Sequence, residues 1–206
     1  MGLKGLKIEN KMVNNTEQIR NMLSFGPDDF YFVEVIKRRK DNPDLSRSEK
    51  VIRNFYIESF ENYDKLIPTI IKLSDFENAR AYIRANKRNY KKLALPILKR
   101  VTDYLISGNE KSIRTVFDSV AGETHSDADK KWIVDVDGVW YITPSETLNT
   151  FLTVLQLEAE RTPMIEIVPT KSGYHIVTRP FNLQKFKEVY GGIDVHKDNM
   201  LILYCP

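Results

Sequence analysis

The chain has 206 residues, 42% of them hydrophobic and 29% charged, which supplies a buried core and excludes wholesale disorder. The single cysteine, Cys205, excludes a disulfide framework and a cysteine-based zinc site. No run of about 18 apolar residues offers a membrane span, and a net charge of +3 does not by itself argue for a nucleic-acid partner.

From the N-terminus, "MGLKGLKIENKMV" lacks the apolar stretch of a signal peptide. Leu6 stands where a myristoylation motif wants Ser or Thr, so a reducing cytoplasm is the expected compartment. "FYFVEVIKRR" (30–39) is β-branched and aromatic and reads as a strand ending in a basic loop closed by Asn42-Pro43. Residues 46–118 read as helical. Ser46 or Ser48 would cap "EKVIRNFYIESF", and a later stretch carries apolar residues at 90, 93, 97, 98, 101 and 105, with a kink or break expected at Pro96. Two basic runs, "IKRRK" (36–40) and "RANKRNYKKLALPILKR" (84–100), suit phosphate contacts and equally suit a solvated helix face. Within the second, Arg84, Lys87 and Arg88 are the candidates for nucleic-acid phosphates.

Past the polar loop "AGETHSDADK" the pattern changes. "KWIVDV" (131–136) is a strand. Thr143-Pro144-Ser145 opens a helix striped by Leu148, Phe151, Leu152 and Leu155, which Pro163 closes. "MIEIV" and "YHIVT" flank a short turn as a hairpin, Asn182 caps "LQKFKEVY" ahead of Gly191-Gly192, and "IDVH" and "MLILY" finish as a further pair of strands. The expected class is α+β. Residues 131–206 form a β-α-β-β-α-β sheet of the ferredoxin-like or RNA-recognition-motif-like kind, and the helical and α/β region of residues 1–130 packs on it as one compact unit.

Two motifs carry chemistry. In "WIVDVDG", strand alternation puts Asp135 and Asp137 on one face. Paired carboxylates on a strand that otherwise reads as buried repel each other, and a divalent cation relieves that cost; hard oxygen ligands favour Mg²⁺ or Mn²⁺. The alternative is an exposed Asp135 beside a turn at Asp137-Gly138. In "TKSGYHIV", Gly173 permits a tight turn, whose backbone N–H groups, with the Ser172 hydroxyl and the Lys171 ammonium, could cradle a phosphate. His175 lies on the strand just beyond, able to donate to a phosphate oxygen, although a histidine on a strand is also an ordinary structural residue.

Together, "IVDVD" and "KSGYH" resemble the catalytic motifs of the archaeo-eukaryotic primase (primase-polymerase) superfamily: hydrophobic-Asp-hydrophobic-Asp, then S-G-x-H, then a third acidic residue near a later strand, on an RNA-recognition-motif-like sheet. The resemblance spans about residues 131–205. It implies that Asp135 and Asp137 hold two catalytic metals and that Lys171, Ser172, Gly173 and His175 bind a nucleoside triphosphate. Asp194 is preferred over Asp198 as the third carboxylate. The implied activity is template-dependent nucleotidyl transfer on single-stranded DNA. The small size and the absence of a P-loop imply a stand-alone phage or mobile-element type working with a separate replicative helicase. Two other readings stay open: a single-stranded nucleic-acid-binding module without chemistry, and a metal-dependent nuclease.

Overall fold

The computed structural model describes residues 12–123, 130–137 and 164–206, and for Asp137, Met164 and Ile165 the backbone only. Within them the chain is α+β, with two antiparallel sheets. A short strand β1 (Val13–Asn14) and helix α1 (Thr16–Met22) precede the long strand β2 (Asp29–Arg38). Then come β3 (Glu49–Ile57), α2 (Phe60–Glu77), β4 (Arg80–Arg84), β5 (Arg88–Asn89), α3 (Tyr90–Ile106), a 3-10 turn (Glu110–Thr115) and α4 (Val116–Glu123). The remainder is β6 (Trp132–Asp137), β7 (Met164–Pro169), β8 (Gly173–Thr178), α5 (Leu183–Val189), β9 (Asp194–His196) and β10 (Met200–Cys205).

Strand β2 is apolar on both faces, and the fold covers both. Tyr31, Val33 and Val35 join the main core beneath α1 and α2, whereas Phe30 and Phe32 pack against Leu93, Val116, Val120 and Ala121 of α3 and α4. Its sheet runs β1-β10-β4-β2-β3, with β5 paired to the start of β2. The second sheet runs β7-β8-β6-β9. Val134, Val136 and Ile176 on one of its faces pack with Phe186 of α5, and Ile133, Val168 and Val177 on the other join the main core. The two sheets therefore share one interior. Among the described residues no helix is long and apolar enough to cross a membrane.

Several sequence expectations give way here. Residues 49–57, expected to open a helix behind Ser46 or Ser48, form β3, and 80–84 form β4 inside the stretch read as helical. In both segments the aromatic and β-branched residues pair with β2, whose long ladder supplies more than a local helix would. Asn78, in the left-handed conformation at φ 47°, stops α2 two residues before β4 begins. Pro96 lies inside an unbroken α3, where Leu93 is fully buried and Ile97 and Val101 pack onto the same cluster. "IDVH" and "MLILY" do not pair with each other: β9 joins β6, and β10 crosses to the large sheet between β1 and β4. The last strand of the expected 131–206 unit thus belongs to the sheet of the N-terminal region. The hairpin of β7 and β8 and the Asn182 cap, which accepts from Lys185 N at 3.2 Å, are as expected. The helix expected between Thr143-Pro144-Ser145 and Pro163 lies outside the described residues.

Arg88, expected at a nucleic-acid surface, is fully buried. Its Nη2 is 2.8 Å from Asp198 Oδ2, and its Nε donates to Ala121 O at 2.7 Å. A buried guanidinium with those partners is a structural group, and its remaining neighbour is Asn86 O. Removing one partner of such a pair leaves an uncompensated buried charge. Arg88→Ala is therefore expected to lose about 3–5 kcal/mol in urea unfolding, whereas Lys91→Ala, paired with Asp28 in solvent, leaves the midpoint unchanged.

Candidate functional site

The turn joining β7 and β8 is organised by Thr170. Its Oγ1 accepts from Gly173 N at 2.9 Å and from Ser172 N at 3.4 Å, and its own N–H donates to Gly173 O at 2.9 Å. The N–H groups of Ser172 and Gly173 are thus engaged inside the turn, which leaves them occupied rather than open to a phosphate. Among the described glycines Gly108 alone has a positive φ, so Gly173 is not needed for a left-handed backbone. It sits opposite Asp137 in the β6–β8 ladder. What the turn presents outward is side chains, Lys171 and Ser172.

These side chains enter a cavity of about 160 Å³ between the two sheets. The small sheet contributes Asp135, Thr170, Lys171, Ser172 and His175 to its lining. The large sheet contributes Ile36 and Arg38 of β2, Glu49 of β3, Arg80 and Tyr82 of β4, and Met200 and Ile202 of β10, with Lys40 and Asn199 from adjoining loops. The alternation of β2 that sends Phe30 and Phe32 under α3 sends Ile36 and Arg38 to this cavity. Arg38 Nη1 donates to the Tyr82 hydroxyl at 3.2 Å, and Arg80 grips Asp41 through Nε at 2.7 Å and Nη2 at 2.8 Å. The large-sheet wall therefore carries Arg38, Lys40 and Arg80 against Glu49, with Arg80 already answered by Asp41.

Asp135 and His175 are direct cross-strand partners on β6 and β8. His175 Nε2 stands 3.5 Å from Asp135 Oδ1, yet Asp135 Oδ1 and His175 Nδ1 are both buried without a hydrogen-bond partner. Contact with the His175 side chain holds the Asp135 carboxyl below its usual range. Desolvation opposes this, and the charges of His175, His196 and Lys40 add to the lowering. Asp135 is half-buried, and its ionised carboxylate has one buried oxygen that no hydrogen bond completes among the described residues, an oxygen that a hard cation would fit.

The other expected site residues are placed as follows. Asp194 pairs with Asp135 in the β6–β9 ladder, but its side chain is 80% exposed, 4.0 Å from Lys187 and outside the cavity lining. Asp198, the alternative third carboxylate, is committed to Arg88. Asp137 continues β6, with its side chain outside the described residues. Among the described residues no group of three or more His, Cys, Asp or Glu side chains is poised to hold a metal. Arg84 faces Glu34 at 3.4 Å, whose carboxyl burial pushes up, and Lys87 pairs with Asp29 at 2.8 Å, so neither reaches the cavity. The basic residues that do, besides Lys171, are Arg38 and Lys40 from the "IKRRK" run and Arg80. Strand alternation of 36 and 38 was the available signal for Arg38, whereas Lys40 lies in the loop past β2 and nothing local marked Arg80. His196 on β9 lies one strand from Asp135 and contributes to its charge balance.

Comparison with protein-family models, with curated proteins and with solved structures found no match to this chain.

The Asp41 carboxyl lies below its ordinary 3.8, because the Arg80 bonds and the charges of Arg80, Lys171 and Lys40 together outweigh desolvation, the largest single influence. The unfolded chain therefore takes up this proton more readily, and the stabilisation is complete above 3.8 and lost as pH falls through the folded value. Urea midpoints of wild type and Asp41→Asn should differ by a constant amount from neutral pH to about pH 5 and converge in stronger acid.

Proposed function

We propose that the chain is a template-dependent nucleotidyltransferase of the primase-polymerase kind, acting on nucleoside triphosphates over a single-stranded DNA template. The observation that carries this reading is the cavity: the half-buried Asp135 carboxylate, one oxygen of which is buried without a hydrogen bond among the described residues, shares a space with Arg38, Lys40, Lys171, Ser172 and His175. A carboxylate for a cation, set beside cations for phosphates, suits a metal–polyphosphate ligand. The order β7-β8-β6-β9 supports the RNA-recognition-motif-like aspect of the proposal, since the strands of that motif lie with the first beside the third and fourth.

In this reading Arg38, Lys40 and Lys171 bind phosphate oxygens, and Ser172 and His175 orient them. An acceptor 3′-hydroxyl attacks the α-phosphorus, the bond to the bridging oxygen breaks, pyrophosphate leaves and the hydroxyl proton passes to solvent. Mg²⁺ or Mn²⁺ would be held by Asp135 with Asp137 and Asp194, and when bound would supply Lewis-acid polarisation of the phosphoryl oxygens. A cytoplasmic setting beside a separate helicase belongs to the same proposal. The outward side chain of Asp194 favours a second reading, nucleotide or single-strand binding without chemistry.

The test is incorporation of labelled nucleotides with Mn²⁺ and single-stranded DNA. Wild type should give metal-dependent products, and Asp135→Ala and Asp137→Ala should each lower their yield by about 100-fold or more while circular dichroism stays native. Equal yields in all three proteins would sink the proposal, and salt-sensitive binding without products in any of them would select the second reading.

A further inference from the structure

The cations around the cavity are held very unequally, and the residue responsible lies outside its lining. Asp41 belongs to the loop after β2. Its N–H donates to Arg38 O at 3.0 Å and its carbonyl accepts from Asn78 Nδ2 at 3.0 Å. Asn42 Nδ2 reaches back to Asn78 O at 3.0 Å, so the loop is fastened to the end of α2. From this fixed position the Asp41 carboxylate takes Arg80 in a two-pronged grip at 2.7 and 2.8 Å, and Arg80 is only 4% exposed. Lys171 Nζ, from the other sheet, stands 3.6 Å from Asp41 Oδ1, beyond hydrogen-bond length, with the Cys205 thiol as a further neighbour.

An anion entering the cavity would meet two different situations. Taking Arg80 would break two charge-assisted bonds and strand a buried carboxylate. Taking Lys171 would exchange a 3.6 Å contact for a charge-assisted bond of about 2.8 Å. We propose that Asp41 sorts the cations, committing Arg80 to the scaffold and leaving Lys171 to the phosphate oxygens of an entering polyphosphate. The proposal rests on reading the cavity as a phosphate site.

The experiment is calorimetric titration of inorganic tripolyphosphate, metal-free and at low salt, into wild type, Lys171→Met and the double variant Asp41→Asn/Arg80→Met. The double variant removes both charges of the buried pair together, so neither is orphaned. Wild type should bind, Lys171→Met should bind about tenfold more weakly or worse with an unchanged melting temperature, and the double variant should stay within about threefold of wild type. Arg80→Lys, expected to lower the melting temperature while binding like wild type, supplies the same comparison if the double variant loses its native circular dichroism. A double variant, or Arg80→Lys, as weak as Lys171→Met would overturn the sorting role while leaving the phosphate site standing. Undiminished binding by Lys171→Met would overturn it equally. A wild type that binds no tripolyphosphate would overturn the phosphate reading of the cavity and this inference with it.

Discussion

The chain passes from the small sheet to the large one between β9 and β10, and the buried guanidinium of Arg88 holds that crossing by gripping Asp198. Asn86 extends the hold. Its amide accepts from Lys131 N at 2.6 Å and donates to Lys131 O at 2.9 Å, tying the loop after β4 to the chain that enters β6, and it also donates to Asp198 Oδ1 at 3.1 Å. At the other edge Asn15 Nδ2 donates both to Pro169 O of β7 and to Ile202 O of β10. These buried polar groups leave the sheets little freedom to slide. Each bond replaces one that water would otherwise have made, so together they contribute more to registration than to net stability.

The cavity follows from that registration. Strand β10 delivers Met200 and Ile202 to its floor, the neighbouring β4 and β2 add Arg80, Tyr82, Ile36 and Arg38, and the small sheet closes the other side with Asp135, His175 and the Thr170 turn. Asp135 Oδ1 and His175 Nδ1 have no hydrogen-bond partner among the described residues. Asn54 Oδ1, Arg84 Nε, Tyr174 Oη and Thr178 Oγ1 are also buried without a hydrogen bond among the described residues, but of these six atoms only Asp135 Oδ1 and His175 Nδ1 belong to residues that line the cavity.

Much of the second sheet was legible in the sequence because its signals are local. The alternation of "KWIVDV", the hairpin at Lys171-Ser172-Gly173 and the Asn182 cap each depend on a few consecutive residues. Residues 49–57 and 80–84 were not legible. Their side chains allow either period, and the choice was made by the hydrogen bonds of β2, which pairs with both from far along the chain. The basic run 84–100 misled for a related reason. Charge density in a sequence carries no burial, and Arg88 and Lys87 proved to be answered by Asp198 and Asp29.

By itself the sequence determined the α+β class, the strand that carries Asp135 and the hairpin that carries His175, because period-two alternation and a short hairpin turn are properties of neighbouring residues, whereas the pairing of those two strands is a tertiary contact. It also placed Lys171 and Ser172 at a turn tip, where side chains project. Only the tertiary structure decided that β10 leaves its sequence neighbours for the large sheet, that Arg38, Lys40 and Arg80 face Asp135, and that Arg80 is bound by Asp41 while Lys171 is held loosely. Those are contacts between segments dozens of residues apart. Their energies depend on burial and on distances fixed by the packing of two sheets, which no local pattern encodes.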